Sequence, residues 1–410
     1  MISSRVLRRT TSALTALAAV LVVAATAGAS PQKPSNATAA QPFKLGLLLP
    51  LTGPLALPGS RIRTAVQYAV SEINRKGGVR GRRITLVTVD DAADPTQDVQ
   101  GVTKLINQDR VDFIFGPITS DGMLAVVPFE TRAKKAAIGV VGSPRLTPSV
   151  MRYGFSVLLN AGEQARKMVA YAARRRWTRV AILHDSGEQG KSANVVLRQQ
   201  LSNRRMTITG DQEYNVGATD MTAQLLSLKG GNPQALLLFP TSGTDVGRVL
   251  LGMQQLDMDI PVVGGYGAHF GADVARVAGR PAMTRLVATT YAAFGKCPKG
   301  GVPNLTKSFV NGIRRFNPDG FGTLVPALDL AAAVRDGIWV MKYAVEGARS
   351  TSGDKVAAWL ERNSGKLGRG LVNPKVTANR NSHFLFGPSS MVLVRPGSEV
   401  SPGVYARADC

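Results

Sequence analysis

The chain has 410 residues, 44% of them hydrophobic and 19% charged, which is ordinary globular composition and long enough for two cores. Its 50 Lys and Arg outnumber 27 Asp and Glu, for a formal net charge of +23. No run of five basic residues and no basic strand interleaved with aromatics accompanies that charge, so it excludes a nucleic-acid partner and is read as a solvated basic surface.

Arg5, Arg8 and Arg9 precede an apolar run from Ala13 to Ala27, and Ala27 and Ala29 form an A-x-A-like cleavage site. This predicts a signal peptide over residues 1–29, followed by a disordered Pro/Ala/Ser-rich segment over 30–42. The apolar run is shorter than a bilayer span and no cysteine follows it, so neither a membrane anchor nor a lipid anchor is expected. Arg8-Arg9-Thr10 hints at twin-arginine export, but Thr11 and Ser12 stand where that signal has bulky residues. The mature chain is expected to be free in the periplasm. Its two cysteines, Cys297 and Cys410, stand in a compartment that permits a disulfide; the alternative is two unpaired thiols.

Lys44 to Pro50 reads as a buried strand, and Ile62, Ala65, Val66, Ala69, Val70 and Ile73 fall at helical spacing behind it. Gly77-Gly78 closes that helix. Ile84 to Val89 is the next strand, Asp94-Pro95 caps a helix to about Gln108, and Val99, Val102, Leu105 and Ile106 form its inner face. Val111 to Ser120 is an apolar strand stopped by Gly116-Pro117, with Thr119 or Ser120 as cap for a helix to about Lys134. The strand Ala136 to Val141 follows. Free backbone N–H groups and hydroxyls at Ser120 offer an anion site.

The rhythm restarts with helix over Gly162 to Arg176, strand Arg179 to His184, helix Glu188 to Asn203, strand Met206 to Gly210 and helix Met221 to Leu228. Strand Ala235 to Pro240, helix Gly243 to Leu256 and strands Ile260 to Gly264 and Leu286 to Tyr291 complete it. Alternation of this kind implies parallel sheets with right-handed crossovers. Later come helices over Pro303 to Phe316, Thr323 to Gly347 and Lys355 to Arg362, then strand-like runs at Leu371 to Val376, Phe384 to Phe386 and Met391 to Val394. Without a long linker, the chain is expected to cross between two lobes several times, and ligands of such sheets bind beyond the carboxyl ends of the strands.

Catalytic and cofactor chemistry is not found. Three histidines, His184, His269 and His383, are scattered, and no C-x-x-C, H-E-x-x-H or G-x-S-x-G constellation occurs. Asp185 to Ser192 ends in Gly-Lys-Ser like a phosphate loop but opens on Asp185 where glycine is needed. Binding without turnover, and without cofactor or metal, is the expectation.

Several stretches carry a resemblance: Gly46-Leu47-Leu48-Leu49-Pro50-Leu51-Thr52-Gly53-Pro54, Ile73 to Arg82 with its central Gly77-Gly78, Asp90-Asp91-Ala92-Ala93-Asp94-Pro95, and Phe115-Gly116-Pro117. Together they resemble the periplasmic solute-binding proteins of the branched-chain amino-acid ABC transporter type, closely from Lys44 to about Tyr291 and more loosely afterwards. The resemblance implies an α/β fold of two doubly wound parallel-sheet lobes joined by a multi-crossover hinge, the type I periplasmic binding protein fold. Lobe 1 is expected over 43–157 and 291–372, lobe 2 over 158–290 and 373–410.

The resemblance also implies that Ser120, with Gly142 and Ser143, holds a ligand carboxylate on the first lobe. Where relatives carry an acid for the ligand ammonium this chain has Tyr266, and an unpaired ammonium is costly in a closed cleft. Pro58, Gln189 and Ser242 align with positions that are aromatic in relatives; Ala93 and Thr119 stand where some relatives have cysteines. The expectation is a monomer that binds a small carboxylate, amide or amino-acid-like solute, with Gln189, Ser242 and Tyr266 added on closure, and that presents it to an ABC permease in the inner membrane. The alternative is a ligand-sensing module for a receptor or sensor kinase.

Overall fold

The structure, a computed structural model, describes residues 41–321 and 327–410. The predicted leader, its cleavage site and residues 30–40 lie outside them, as does the predicted helical start at Thr323.

The first sheet is built from β1 (Phe43–Leu49), β2 (Ile84–Asp90), β3 (Phe113–Phe115), β4 (Ala137–Gly139) and β5 (Gly154–Ser156), all parallel, in the order β2-β1-β3-β4-β5. Side chains of a strand alternate between faces, and β1 does so with apolar residues on both. Leu45, Leu47 and Leu49 enter one core, Leu48 the other. Helices α1 (Ala56–Arg75), α2 (Pro95–Asn107) and α3 (Ser120–Arg132) make the crossovers. Asp94 caps α2 by accepting from Gln97 N, and Thr119 caps α3 by accepting from Gly122 N. Gly116 has φ 117° and a Cβ there would stand 2.0 Å from Leu48 O, so the turn out of β3 requires glycine.

The second sheet runs β11-β13-β12-β10-β9-β8-β6-β7. Its parallel part is β6 (Arg179–Asp185), β7 (Thr207–Tyr214), β8 (Ala235–Phe239), β9 (Val262–Gly264) and β10 (Leu286–Tyr291). Helices α4 (Ala161–Arg174), α5 (Glu188–Asn203), α6 (Thr222–Gly230), α7 (Gly243–Gln255) and α8 (Gly271–Ala282) accompany it. In β8, Leu236 and Leu238 join one core while Leu237 and Phe239 join the other. The two-residue β11 (Gly295–Lys296) follows β10. Then α9 (Asn304–Phe316), α10 (Pro318–Phe321), α11 (Leu328–Ala348) and α12 (Gly353–Asn363) lead on, and residues of α9, α11 and α12 share the core of α1 and β1. The chain finally returns to the second sheet as β12 (Met391–Ser401), antiparallel to β10, and β13 (Val404–Arg407). Cys297 and Cys410 are joined as a disulfide across 113 positions.

Three departures from the sequence reading have local causes. Leu371 to Val376 is not a strand: Val372 N and Asn373 N donate to the buried Asp336 carboxylate instead of to a ladder. Phe384 makes only an isolated bridge to Ser156, so Phe384 to Phe386 is no strand either. Val99 is half-buried, and it is Asp98 that α2 turns fully inward.

Candidate functional site

The carboxyl ends of β3 and β4 bring Ser120, Gly142 and Ser143 together. Ser120 opens α3 and is buried; its Oγ accepts from Gly142 N and Ser143 N, each at 3.2 Å. Ser143 Oγ donates to Glu188 Oε1 at 2.9 Å, while accepting from Arg145 N and Ser192 Oγ. Arg145 Nη1 donates to Glu188 Oε2 at 2.8 Å. Glu188 N in turn donates to Asp121 Oδ2 at 3.1 Å. Glu188 and Ser192 belong to α5 of the second sheet, so hydroxyls and charges of the two lobes meet directly. The neighbouring Gln189 lies over Gly142, where a Cβ would stand 2.4 Å from its Oε1. Glu188 was not singled out in the sequence, where an acid in the first turn of a helix is explained by the helix dipole alone.

Tyr266, just beyond β9, is fully engaged by protein. Its N donates to Gln164 Oε1 at 2.7 Å and its hydroxyl to Asp329 Oδ2 at 2.8 Å. Thr290 Oγ1 donates to the same Asp329 oxygen at 2.6 Å. Asp329 sits in the first turn of α11, which packs on the first sheet, whereas Tyr266 and Thr290 come from the second. The group therefore ties the two lobes together. Burial drives the Tyr266 hydroxyl well above its ordinary pKa, with the Asp329 charge adding to the shift, and pushes the nearby His269 down against the opposing pull of Asp329. Ser242 caps α7, its Oγ accepting from Thr244 N and Asp245 N.

A cavity of about 60 Å³ lies between the lobes. Leu55, Ile118, Val140 and Leu158 wall it on one side and Pro240 and Phe270 on the other, with Gln189, Thr241 and the Tyr266 ring as its polar-bearing members. A second cavity of about 70 Å³ shares Pro58, Ile62, Phe270 and Leu330 with it and is edged by Ser242, Arg61 and Asp273. Arg61 of α1 and Asp273 of α8 form a two-pronged ion pair across this opening, Nη1 to Oδ2 at 2.8 Å and Nη2 to Oδ1 at 3.3 Å. Of the six residues predicted for the ligand, Gln189 and Tyr266 line the inner cavity and Ser242 the outer one. Ser120, Gly142 and Ser143 form a separate polar cluster beneath Glu188 and Gln189.

Buried carboxyls flank these strand ends. Asp185 closes β6 and takes Gly187 N on Oδ1; burial raises its pKa to about 7, against hydrogen bonds from Thr241 and Gly187 that lower it. Asp91 and Asp98 face one another, both raised by burial, Asp98 further by its neighbour's charge. Among the described residues no group of three or more His, Cys, Asp or Glu is placed to hold a metal ion.

The geometry is two lobes, an apolar chamber between them and polar groups of both sides in contact. A model of the periplasmic binding protein family matches residues 42–395. The chain is 25% identical over 338 residues to the leucine-, isoleucine-, valine-, threonine- and alanine-binding protein of Pseudomonas aeruginosa, covering 80% of this chain and 85% of that one. A periplasmic binding protein type 1 from Bordetella pertussis superposes with a TM-score of 0.77 at 24% identity, over 87% of this chain and 96% of its own. A branched-chain amino acid transporter substrate binding protein from Streptococcus pneumoniae, in complex with isoleucine, superposes with a TM-score of 0.74 at 21% identity, over 88% of this chain and 98% of its own. The family is one of periplasmic, solute-binding proteins, and this chain belongs to it as a type I member of the Leu/Ile/Val-binding-protein kind.

Proposed function

We propose that the chain is the extracytoplasmic solute-binding component of an ABC importer. Its two lobes close on a small, mainly apolar solute and present it to a permease in the inner membrane, after the leader has been removed in the periplasm. The observation that carries the reading is the interlobe chamber: apolar walls from both lobes meet a few polar groups, Gln189 and Thr241 among them, which is how small-molecule sites are built. No acid is among the described residues that line the inner chamber to receive an α-ammonium, so a standard amino acid is disfavoured as the solute.

Thermal-shift screening of the purified mature chain against amino acids, small carboxylic acids and small amides tests the reading. A solute at about a hundred times its dissociation constant stabilises by roughly 2–3 kcal/mol and raises the melting temperature accordingly. Val140→Trp fills the inner chamber, and its melting temperature should no longer respond to that solute. A shift that survives Val140→Trp, or the absence of any shift across the panel, overturns the reading.

A further inference from the structure

Most of the groups that a ligand carboxylate would use on the first lobe are already engaged. Gly142 N and Ser143 N both point at Ser120 Oγ. The Ser143 hydroxyl gives its single hydrogen to Glu188 and fills its acceptor side with Arg145 N and Ser192 Oγ. The guanidinium of Arg145, the cation beside this cradle, is held by the other oxygen of Glu188. Glu188 is itself anchored across the cleft, because its N–H donates to Asp121 at the start of α3. A carboxylate therefore sits on the anion cradle in the closed form, and it is the protein's own.

We propose that Glu188 is a built-in counterpart of a ligand carboxylate, and that by occupying the cradle it makes the closed cleft select uncharged solutes, small amides in particular. The inference rests on the solute-binding reading above and names the chemical class for the same site. An anionic solute seeking the cradle has to displace Glu188 from Ser143 and Arg145, or else lie beside it as a second negative charge, and like charges in a closed interface repel strongly. A neutral solute avoids both penalties. The chamber beside the cradle supplies what an amide needs: Gln189, whose side chain offers both a donor and an acceptor, with Ile118, Val140 and Leu158 for the apolar part.

Matched pairs of solute that differ only in charge test this directly: isobutyramide with isobutyrate, isovaleramide with isovalerate, and benzamide with benzoate. Each is titrated calorimetrically into the wild-type chain, Glu188→Gln and Glu188→Ala. The wild type is expected to bind at least one amide roughly tenfold or more tightly than its acid. Both variants should lose that preference, the acid gaining about tenfold while the amide holds within a few-fold. Thermal melting of each variant without solute confirms that it remains folded. Wild-type preference for the acids, or an amide-to-acid ratio unchanged in Glu188→Ala, overturns the proposal while leaving solute binding intact. Silence of the wild type toward these pairs, with binding of amino acids or other solutes in the wider screen, overturns it in the same way. Silence toward every solute overturns both readings.

Discussion

Tyr266 shows how a residue at an aligned ligand position can be taken up by its own protein. Its hydroxyl donates to Asp329 of the other lobe, while the residue lines the chamber. Tyr266→Phe removes one donor from a fully buried carboxylate, and a hydrogen bond to a charged group is worth about 1.5–3 kcal/mol. Urea unfolding should show a loss of that size while affinity for the solute falls little. Wild-type stability with abolished binding would instead make the hydroxyl a ligand contact. A cap at Thr119 or Ser120 was legible in the sequence, because helix starts have local signatures, and Thr119 is the one that caps; the grouping of Ser120 with Gly142 and Ser143 came only from the resemblance. Glu188 and Asp329 were not legible. Each sits in the first turn of a helix, where an acid is locally ordinary, and its partner lies in the other lobe, where no local pattern points.

At the scale of elements, α1 and α8 meet through Arg61 and Asp273, and the same Asp273 also accepts from Arg276 Nη2 at 2.7 Å. The pair joins helices of opposite lobes, so a movement that separated α1 from α8 would have to break it. Arg61→Ala should therefore weaken solute binding by about tenfold and enlarge the radius of gyration of the solute-free chain in small-angle scattering. The exchange Arg61→Asp with Asp273→Arg should recover part of both. Unchanged affinity in Arg61→Ala would show that closure does not use the pair. The bounds of α5 and β10 coincide with those expected, and β10 is fully buried along its length. The three-residue β5 escaped notice because a strand so short has no periodicity to see. α8 was missed as well: Gly271, Gly279 and Pro281 interrupt its pattern, and at Gly279 the backbone leaves helical geometry with φ 77°. β12 was read only to Val394, because its remaining residues to Ser401 are mostly exposed and polar.

For the whole molecule, the buried acids set how stability follows pH. Glu130, inside α3, is 2% exposed with Oε1 unpartnered, and burial raises its pKa to about 8; Asp185 is raised to about 7. Between their ordinary values and these raised ones the folded chain keeps protons that the unfolded chain has released, so stability falls as pH rises through that window. His269, lowered by burial, acts in the opposite sense, but only below its ordinary 6.5. From pH 6.5 to 8 the raised carboxyls lower stability, and Glu130 by itself should remove about 1–2 kcal/mol. Calorimetric melting temperatures should drop over that interval and drop less in Glu130→Gln; a flat profile in the wild type would contradict neutral Glu130. The fold class was legible because Leu45 to Leu49 and Ala235 to Phe239 carry apolar side chains to both faces, which only a sheet covered on both sides tolerates. The bond between Cys297 and Cys410 has a different kind of consequence. It turns the last part of the chain into a covalent ring that leaves the second sheet, passes through α9, α11 and α12 beside the first, and returns through β12 and β13. A protease that cuts once within that ring, at the turn after α12 for example, yields two fragments that still travel as one species until a reductant is added.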